Sequence, residues 1–245
     1  MKKDLSPDYY ETSWNSYYRS VKDKPENVPW DVPAEKAVIQ DLKRMNRHLN
    51  KDIPLIDIGC GLGTQTACLA GHFTKVTGID ISKVAIQCAA DQYKSYSNLD
   101  FKTLNILNTN GCRNFSQIYG DSNLYMRGTL QQIIAEDRSD FTNSVKALLG
   151  ETGRLYFIEL STTAKDFFLH LYKTIRGFPA TLDRVLKQKV TQLIGVHVDD
   201  LSAIFPASDF HILLSGEDSI TLKFDDENVV GVPATFGIIQ NRTAD

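Results

Sequence analysis

Ile53-Pro54-Leu55-Ile56-Asp57-Ile58-Gly59-Cys60-Gly61-Leu62-Gly63-Thr64-Gln65-Thr66 is the stretch on which the fold turns. A short apolar run over residues 53–58 ends in clustered glycines, and a helix through Ala67, Leu69 and Ala70 follows. That order is what a buried parallel strand handing over to a helix requires. Gly59, Gly61 and Gly63 lack a Cβ, so the turn can take positive φ and bring a ligand close to the backbone. Asp57 sits two positions before the first glycine. A carboxylate there opposes a pyrophosphate and suits a cationic amino-acid group. The turn reads GxGxG, with Thr64 where a dinucleotide fingerprint has its third glycine. A dehydrogenase is disfavoured on both counts.

Working outward, residues 76–80 form a second strand ending at Asp80, 21 positions after Gly59. A carboxylate at that place accepts hydrogen bonds from both hydroxyls of a ribose. Ser82 caps the next helix, which runs to about Tyr96. Residues 99–105 read as a third strand that delivers Asn105 and Ile106, an amide acceptor and a backbone N–H, to an adenine edge. Residues 123–127 are a weak fourth strand, 130–149 a helix stopped by Gly150 and Gly153, and 155–160 a strongly apolar fifth strand. The alternation then pauses for about 45 residues, in which helices over 163–175 and 181–194 fit, before closing strands at 210–214 and 234–240. Alternating strands and helices predict a doubly wound, mostly parallel sheet with helices on both faces.

Upstream of the turn, Tyr10, Trp14, Tyr17 and Tyr18 recur at helical spacing. Pro25, Pro29, Trp30 and Pro33 follow, and Pro33 is expected to open a helix carrying Ala37, Val38, Leu42, Met45 and Leu49. The chain divides into an aromatic cap (1–33), a ligand-binding core (34–160), a helical lid (161–207) and closing strands (208–245), all one domain.

Composition bounds the partners. The chain has 245 residues, 42% hydrophobic and 23% charged, with net charge −3. Nucleic-acid binding usually shows as a basic domain, which this is not. The four cysteines form no CxxC pair and have no histidine at zinc-ligand spacing, so no metal is expected. The N-terminus has no apolar run, and no stretch approaches the ~18 residues of a membrane span. A cytoplasmic protein is expected.

The segment Ile56-Asp57-Ile58-Gly59-Cys60-Gly61-Leu62-Gly63-Thr64, with Gly78-Ile79-Asp80-Ile81-Ser82, resembles the first two motifs of class I S-adenosylmethionine-dependent methyltransferases. The resemblance implies a seven-stranded sheet whose last strand is antiparallel. It implies S-adenosylmethionine as cofactor and S-adenosylhomocysteine as product. Asp57, Gly59, Cys60, Gly61 and Gly63 would hold the methionine end, Asp80 and Ile81 the ribose, Asn105 and Ile106 the adenine. The aromatic entry segment, Trp14 with Tyr18 and then Pro29-Trp30-Asp31, resembles that of thiopurine-methyltransferase-like and other small-molecule enzymes. Asn123 through Gln132 looks like a fourth motif, with Gln131-Gln132 where similar bacterial enzymes carry histidine. These parallels favour a small acceptor of the bacterial secondary-metabolite kind.

Transfer from a sulfonium is an in-line displacement, for which proximity and orientation suffice. The candidate catalytic residues are therefore positional. Arg127 is expected to meet the cofactor through its carbonyl and a substrate acid through its side chain. Gln131 orients a polar group, and His197 in the lid is the readiest base near neutral pH. Tyr10, Trp14, Tyr18, Trp30, Gln132 and Glu159 are the substrate-binding candidates. The aromatic segment has two readings, core packing or a wall of the substrate pocket. An RNA methyltransferase and a non-catalytic cofactor-binding module are the rival functions. Monomer and homodimer are both open.

Overall fold

The computed structural model describes residues 8–24, 28–175, 177–178, 180–187, 195–223 and 228–242. Seven strands form one sheet in the order β3-β2-β1-β4-β5-β7-β6. They are β1 Leu55–Ile58, β2 Val76–Asp80, β3 Leu99–Thr103, β4 Asn123–Arg127, β5 Arg154–Leu160, β6 Phe210–Lys223 and β7 Val229–Asn241. β1 to β5 pair in parallel, and β7 runs antiparallel to both β5 and β6. The seven-stranded sheet with one reversed strand is as the resemblance implied.

The helices are α1 Tyr9–Val21, α2 Ala34–Ala37, α3 Ile39–His48, α4 Thr64–Ala70, α5 Lys83–Gln92, α6 Thr109–Tyr119, α7 Arg138–Leu149, α8 Ala164–Ile175, α9 Ala180–Lys187 and α10 Leu201–Ile204. Successive strand residues point to opposite faces, so each central strand feeds two cores. Tyr125, Tyr156 and Ile158 pack with Leu42, Met45 and Leu69 on one side. Leu124, Met126, Leu155 and Phe157 pack with Phe141, Val145 and Phe205 on the other.

Several sequence expectations are corrected. Pro33 is the residue before α2, not its first residue, and the expected single helix breaks at Val38 into α2 and α3. The expected helix over 130–149 begins only at Arg138; Leu130–Gln132 and Ala135–Asp137 are 3₁₀ turns. The cause is tertiary. Buried Glu159 on β5 takes the backbone N–H of Thr129 at 2.9 Å and of Gln131 at 3.3 Å. The N–H of Ile134 is taken by the Tyr10 hydroxyl at 3.2 Å. Groups bound from outside are not available to an α-helical ladder.

α6 was not expected, because its sequence carries Gly111 and buries only Cys112. It starts at Asn108, whose side chain accepts the Gly111 N–H at 2.9 Å. The closing strands are far longer than 210–214 and 234–240. β6 is an edge strand whose exposed residues, His211 to Ser215, leave no in–out alternation to read. The third strand ends at Thr103, which puts Asn105 and Ile106 on the loop after it. The second expected lid helix is seen as α9 only to Lys187; residues 188–194 lie outside the described residues.

Candidate active site

β1 lies between β2 and β4, so the direction of winding switches there. In open α/β sheets the crevice for a ligand forms at the carboxyl ends of the strands at such a switch. A cavity of about 1390 Å³, counted out to its open mouth, occupies that position.

Its first half is built on the ends of β1, β2 and β3. Asp57, Gly59, Cys60, Asp80, Ile81, Asn105 and Ile106 all line it. Gly59 has φ 73°, and a Cβ there would come within 2.3 Å of Thr129 Oγ1. Gly61 and Gly63 do not line the cavity, although their φ values are also positive at 54° and 83°. They shape the turn instead: the Gly61 N–H donates to Asp80 at 3.0 Å, and Gly63 lies against Phe101 and Ala89. Asp80 also accepts the Ser82 N–H at 2.8 Å. Ser82 caps α5 as expected, accepting the Ala85 N–H at 3.2 Å. Asn105 Oδ1 accepts the Leu107 N–H at 2.8 Å, so it already spends one acceptor on its own loop.

The two carboxylates of this half are buried without a cation of their own. Asp57 accepts from the Thr66 hydroxyl at 2.6 Å. Burial above all, with Asp80 nearby, still lifts its carboxyl to about 7 against the pull of Thr66 and Arg127. Burial likewise lifts Asp80 to about 6, despite the backbone N–H groups of Ser82, Gly61 and Ile81. Burial, with Asp80 and Asp57 nearby, holds the Cys60 thiol well above the ordinary range.

The second half is walled by α1, the loop after β4, α8, α9 and β6. Tyr10, Trp14, Tyr18 and Trp30 all line the cavity. Tyr17, expected beside them, is fully buried and packs with Tyr18, Val21, Leu62 and Ala85. Tyr17 is thus core packing, while Trp14, Tyr18 and Trp30 both pack against that cluster and line the cavity. α1 is tied to α5 through Asn15, whose Oδ1 accepts from Ser82 Oγ at 3.0 Å. The segment after α1 is pinned by Gln65, which donates to the Val32 carbonyl at 3.2 Å. Lys223 on β6 donates its N–H to Pro29 O at 2.6 Å.

Gln131 and Gln132 line the cavity. Gln131 Oε1 accepts the Leu160 N–H at 2.9 Å, so Gln131 and Glu159 together lace the loop after β4 onto β5. Glu159, expected at the substrate, is fully buried and does not line the cavity. Burial pushes its carboxyl up to about 7 against the N–H groups of Leu130, Thr129 and Gln131. His197 does not line the cavity either. Its ring is 42% exposed and accepts the Asp199 N–H at 3.2 Å. None of the five histidines of the chain is in the cavity wall.

Arg127 lines the cavity, but its guanidinium is committed elsewhere. Only 8% exposed, it faces Asp41 of α3 at 3.4 Å and the Thr221 carbonyl at 3.4 Å. Its Nε is buried with no hydrogen-bond partner. Asp41 in turn accepts from the Tyr125 hydroxyl at 2.8 Å and the Tyr156 hydroxyl at 2.5 Å. Asp41 was not singled out in the sequence. Its signal is its place on the apolar stripe of α3, three residues after Val38 and four before Met45. Other lining residues that were not singled out include Gln65 and the apolar Leu160, Phe168, Leu182, Val185, Ile220 and Leu222.

A family model described as a methyltransferase domain matches residues 56–155. A crystal structure of an S-adenosylmethionine-dependent methyltransferase from Anabaena variabilis ATCC 29413 is similar at 33% identity, with 95% of each chain covered and a TM-score of 0.87. The magnesium protoporphyrin IX methyltransferase of Synechocystis PCC 6803, solved with bound S-adenosylhomocysteine, shares the fold at 18% identity, covering 96% of this chain and 100% of that one, TM-score 0.61. The N-methyltransferase NodS of Bradyrhizobium japonicum WM9, in complex with S-adenosylhomocysteine, does so at 14% identity, covering 94% and 100%, TM-score 0.59. No curated protein matches the chain. Among the described residues no helix is long and apolar enough to cross a membrane. With the glycine turn, the two buried acids and a relative matched along nearly the whole chain, this protein belongs to the S-adenosylmethionine-dependent methyltransferases.

Proposed function

We propose that this enzyme methylates a small molecule held in the second half of the cavity that takes its cofactor. The carrying observation is that one continuous cavity runs from the ends of β1–β3 to α8, α9 and β6, behind the aromatic rings of α1. The net charge of −3 speaks against an RNA acceptor.

The residues present fit the cofactor. Two buried carboxylates with raised proton affinity face a cavity half that, among the described residues, has no cation except Arg127, which Asp41 faces. Such a half favours a ligand with a cationic end and a diol. Asp57, Gly59 and Cys60 would hold the amino-acid end, Asp80 and Ile81 the ribose, Asn105 and Ile106 the adenine. When bound, S-adenosylmethionine supplies a methyl group already activated on a sulfonium. The chain then has to orient the acceptor and exclude water. Tyr10, Trp14, Tyr18 and Trp30 close the cavity over that point, and their faces favour a nearby cation by ~0.5–2 kcal/mol. Gln131 and Gln132 present the loop after β4 to the acceptor.

The titration of Asp57 and Asp80 gives a sign. A carboxyl that titrates near 7 in the free protein, and lower beside a cation, releases its proton on binding. Affinity for S-adenosylhomocysteine is expected to be highest near pH 8 and to fall as the pH drops through 7 towards 6. Calorimetry in buffers of different ionisation enthalpy checks the proton release. Stability of the free fold moves the other way. Asp57, Asp80 and Glu159 bind protons more tightly folded than unfolded, so their contribution favours the fold increasingly from pH 7 down towards 4. The opposite slopes separate weakened binding from unfolding.

Incubation with methyl-labelled cofactor and either a small-molecule extract or total RNA tests the acceptor class. Label in the small-molecule fraction is expected. Label in RNA overturns the reading, and cofactor binding without transfer to either favours a binding module.

A further inference from the structure

The acceptor half of the cavity has a charge character that narrows the substrate. Phe168 of α8, Leu182 of α9, and Ile220 and Leu222 of β6 form its far wall, while Val185 of α9 packs with Tyr17, Tyr18 and Leu62. Among the described residues no lysine, histidine or glutamate lines the cavity, and its aspartates, Asp57 and Asp80, both stand in the cofactor half. Among the described residues Arg127 is the single cation in the wall. Its Nη1 faces Asp41 at 3.4 Å and its Nη2 the Thr221 carbonyl at 3.4 Å, so a single buried Nε–H is all it has left for an anion, and its field is already shared with Asp57 and Glu159. One guanidinium paired with the buried Asp41 leaves the site no positive charge to spare. An acidic substrate would meet that deficit unpaired, and an unpaired charge in an apolar pocket is strongly disfavoured. A cationic substrate finds no carboxylate on its own side.

We propose that the acceptor is an uncharged, predominantly apolar molecule, whose hydrocarbon body packs between α8, α9 and the β6 strand. This rests on the cofactor occupying the first half. It removes the substrate acid that the sequence placed on Arg127. It also bears on the chemistry: with no histidine and no carboxylate in that half among the described residues, the nucleophile is one that attacks without a side-chain base, such as a neutral amine. In the step, the nucleophile's lone pair forms the new bond to the methyl carbon. The methyl–sulfur bond breaks, and its electron pair stays on sulfur. Any proton leaves to solvent afterwards.

The neutral fluorophore N-phenyl-1-naphthylamine serves as probe on the full chain, with S-adenosylhomocysteine present. Saturable binding is expected, displaced by 1-decanol at a concentration at least tenfold below that needed with decanoate or decylammonium. Leu222→Lys, at a partly exposed wall position, and Leu182→Asp, at a buried one, should each weaken the probe at least tenfold. Affinity for S-adenosylhomocysteine, read by calorimetry, should stay within about twofold. Displacement by decanoate or decylammonium as good as by decanol overturns the proposal. So does absence of probe binding, or probe binding that neither variant alters. Failure to bind S-adenosylhomocysteine in the unsubstituted protein is a separate result, and it counts against the cofactor assignment, not the apolar wall.

Discussion

Replacing Asp80 by alanine is expected to weaken S-adenosylhomocysteine binding roughly 10- to 100-fold. The carboxylate is buried at the end of β2 and organises the turn around it, accepting the Gly61 N–H at 3.0 Å and the Ser82 N–H at 2.8 Å. Each oxygen keeps a further lone pair for a ligand hydroxyl, and a hydrogen bond to a charged group is worth about 1.5–3 kcal/mol. The substitution removes that contact and leaves two backbone donors without their acceptor, at about 1–3 kcal/mol for each that stays dry. Asp80→Asn keeps one acceptor oxygen and one site of the right shape, so it should lose less affinity than alanine. Calorimetric titration of both variants is the measurement. Unchanged affinity in Asp80→Ala would remove this residue from the cofactor site.

The second large effect is on stability. Asp41→Ala should destabilise the fold by about 3–5 kcal/mol, because removing one member of a buried ion pair strands the other. Arg127 already has an unpartnered Nε and two contacts at 3.4 Å; without Asp41 it loses its counter-charge. The hydroxyls of Tyr125 and Tyr156 lose their acceptor in the same step. For a chain of this size each kcal/mol lowers Tm by roughly 2–4 °C, so a fall of about 10 °C is expected in thermal denaturation. The double variant Asp41→Leu with Arg127→Met removes the stranded charge and should recover much of the loss, since apolar replacements of a buried pair are often neutral. If the double variant is no more stable than Asp41→Ala, the pair is not what holds α3 to β4 and β5. The comparison also bears on substrate charge. A protein whose Arg127 serves α3 tolerates its loss when Asp41 goes too, and one whose Arg127 serves a substrate does not.

The core of the fold was readable because its determinants are local. The 55–66 stretch writes strand, glycine turn and helix in consecutive residues, and Asp57 and Asp80 stand at strand ends where side-chain direction follows from the strand itself. Ser82 could be read as a cap for the same reason: its partner, Ala85, is three residues away. The boundaries that went wrong depend on distant partners. The loop after β4 looks helical in isolation and is held open by Glu159, about thirty residues on, and by Tyr10, more than a hundred residues back. The long β6–β7 hairpin hides because an edge strand with exposed residues shows no period of two. α6 hides because only Cys112 of its eleven residues is buried.

The candidate site divides along the same line. Its cofactor half lies on three strand ends and one turn, so a single stretch of sequence and one later aspartate carry most of it. Its acceptor half collects side chains from α1, α8, α9 and β6, which lie far apart in the chain and meet only across the sheet. The same holds for charge. The sequence alone presents Arg127 as a free cation at a strand end, Glu159 as an acid on the same rim, and Asp41 as one polar residue on a helix. Only the tertiary structure sets Arg127 against Asp41, turns Glu159 inward to the backbone of the loop after β4, and keeps His197 out of the cavity. By itself the sequence determined the strand order of chemistry, the glycine turn and the acids that suit a nucleoside with a cationic tail, because hydrogen bonding and backbone freedom there are settled within a few residues. The packing of distant elements decided the rest, because a buried charge takes its meaning from whichever opposite charge is folded against it.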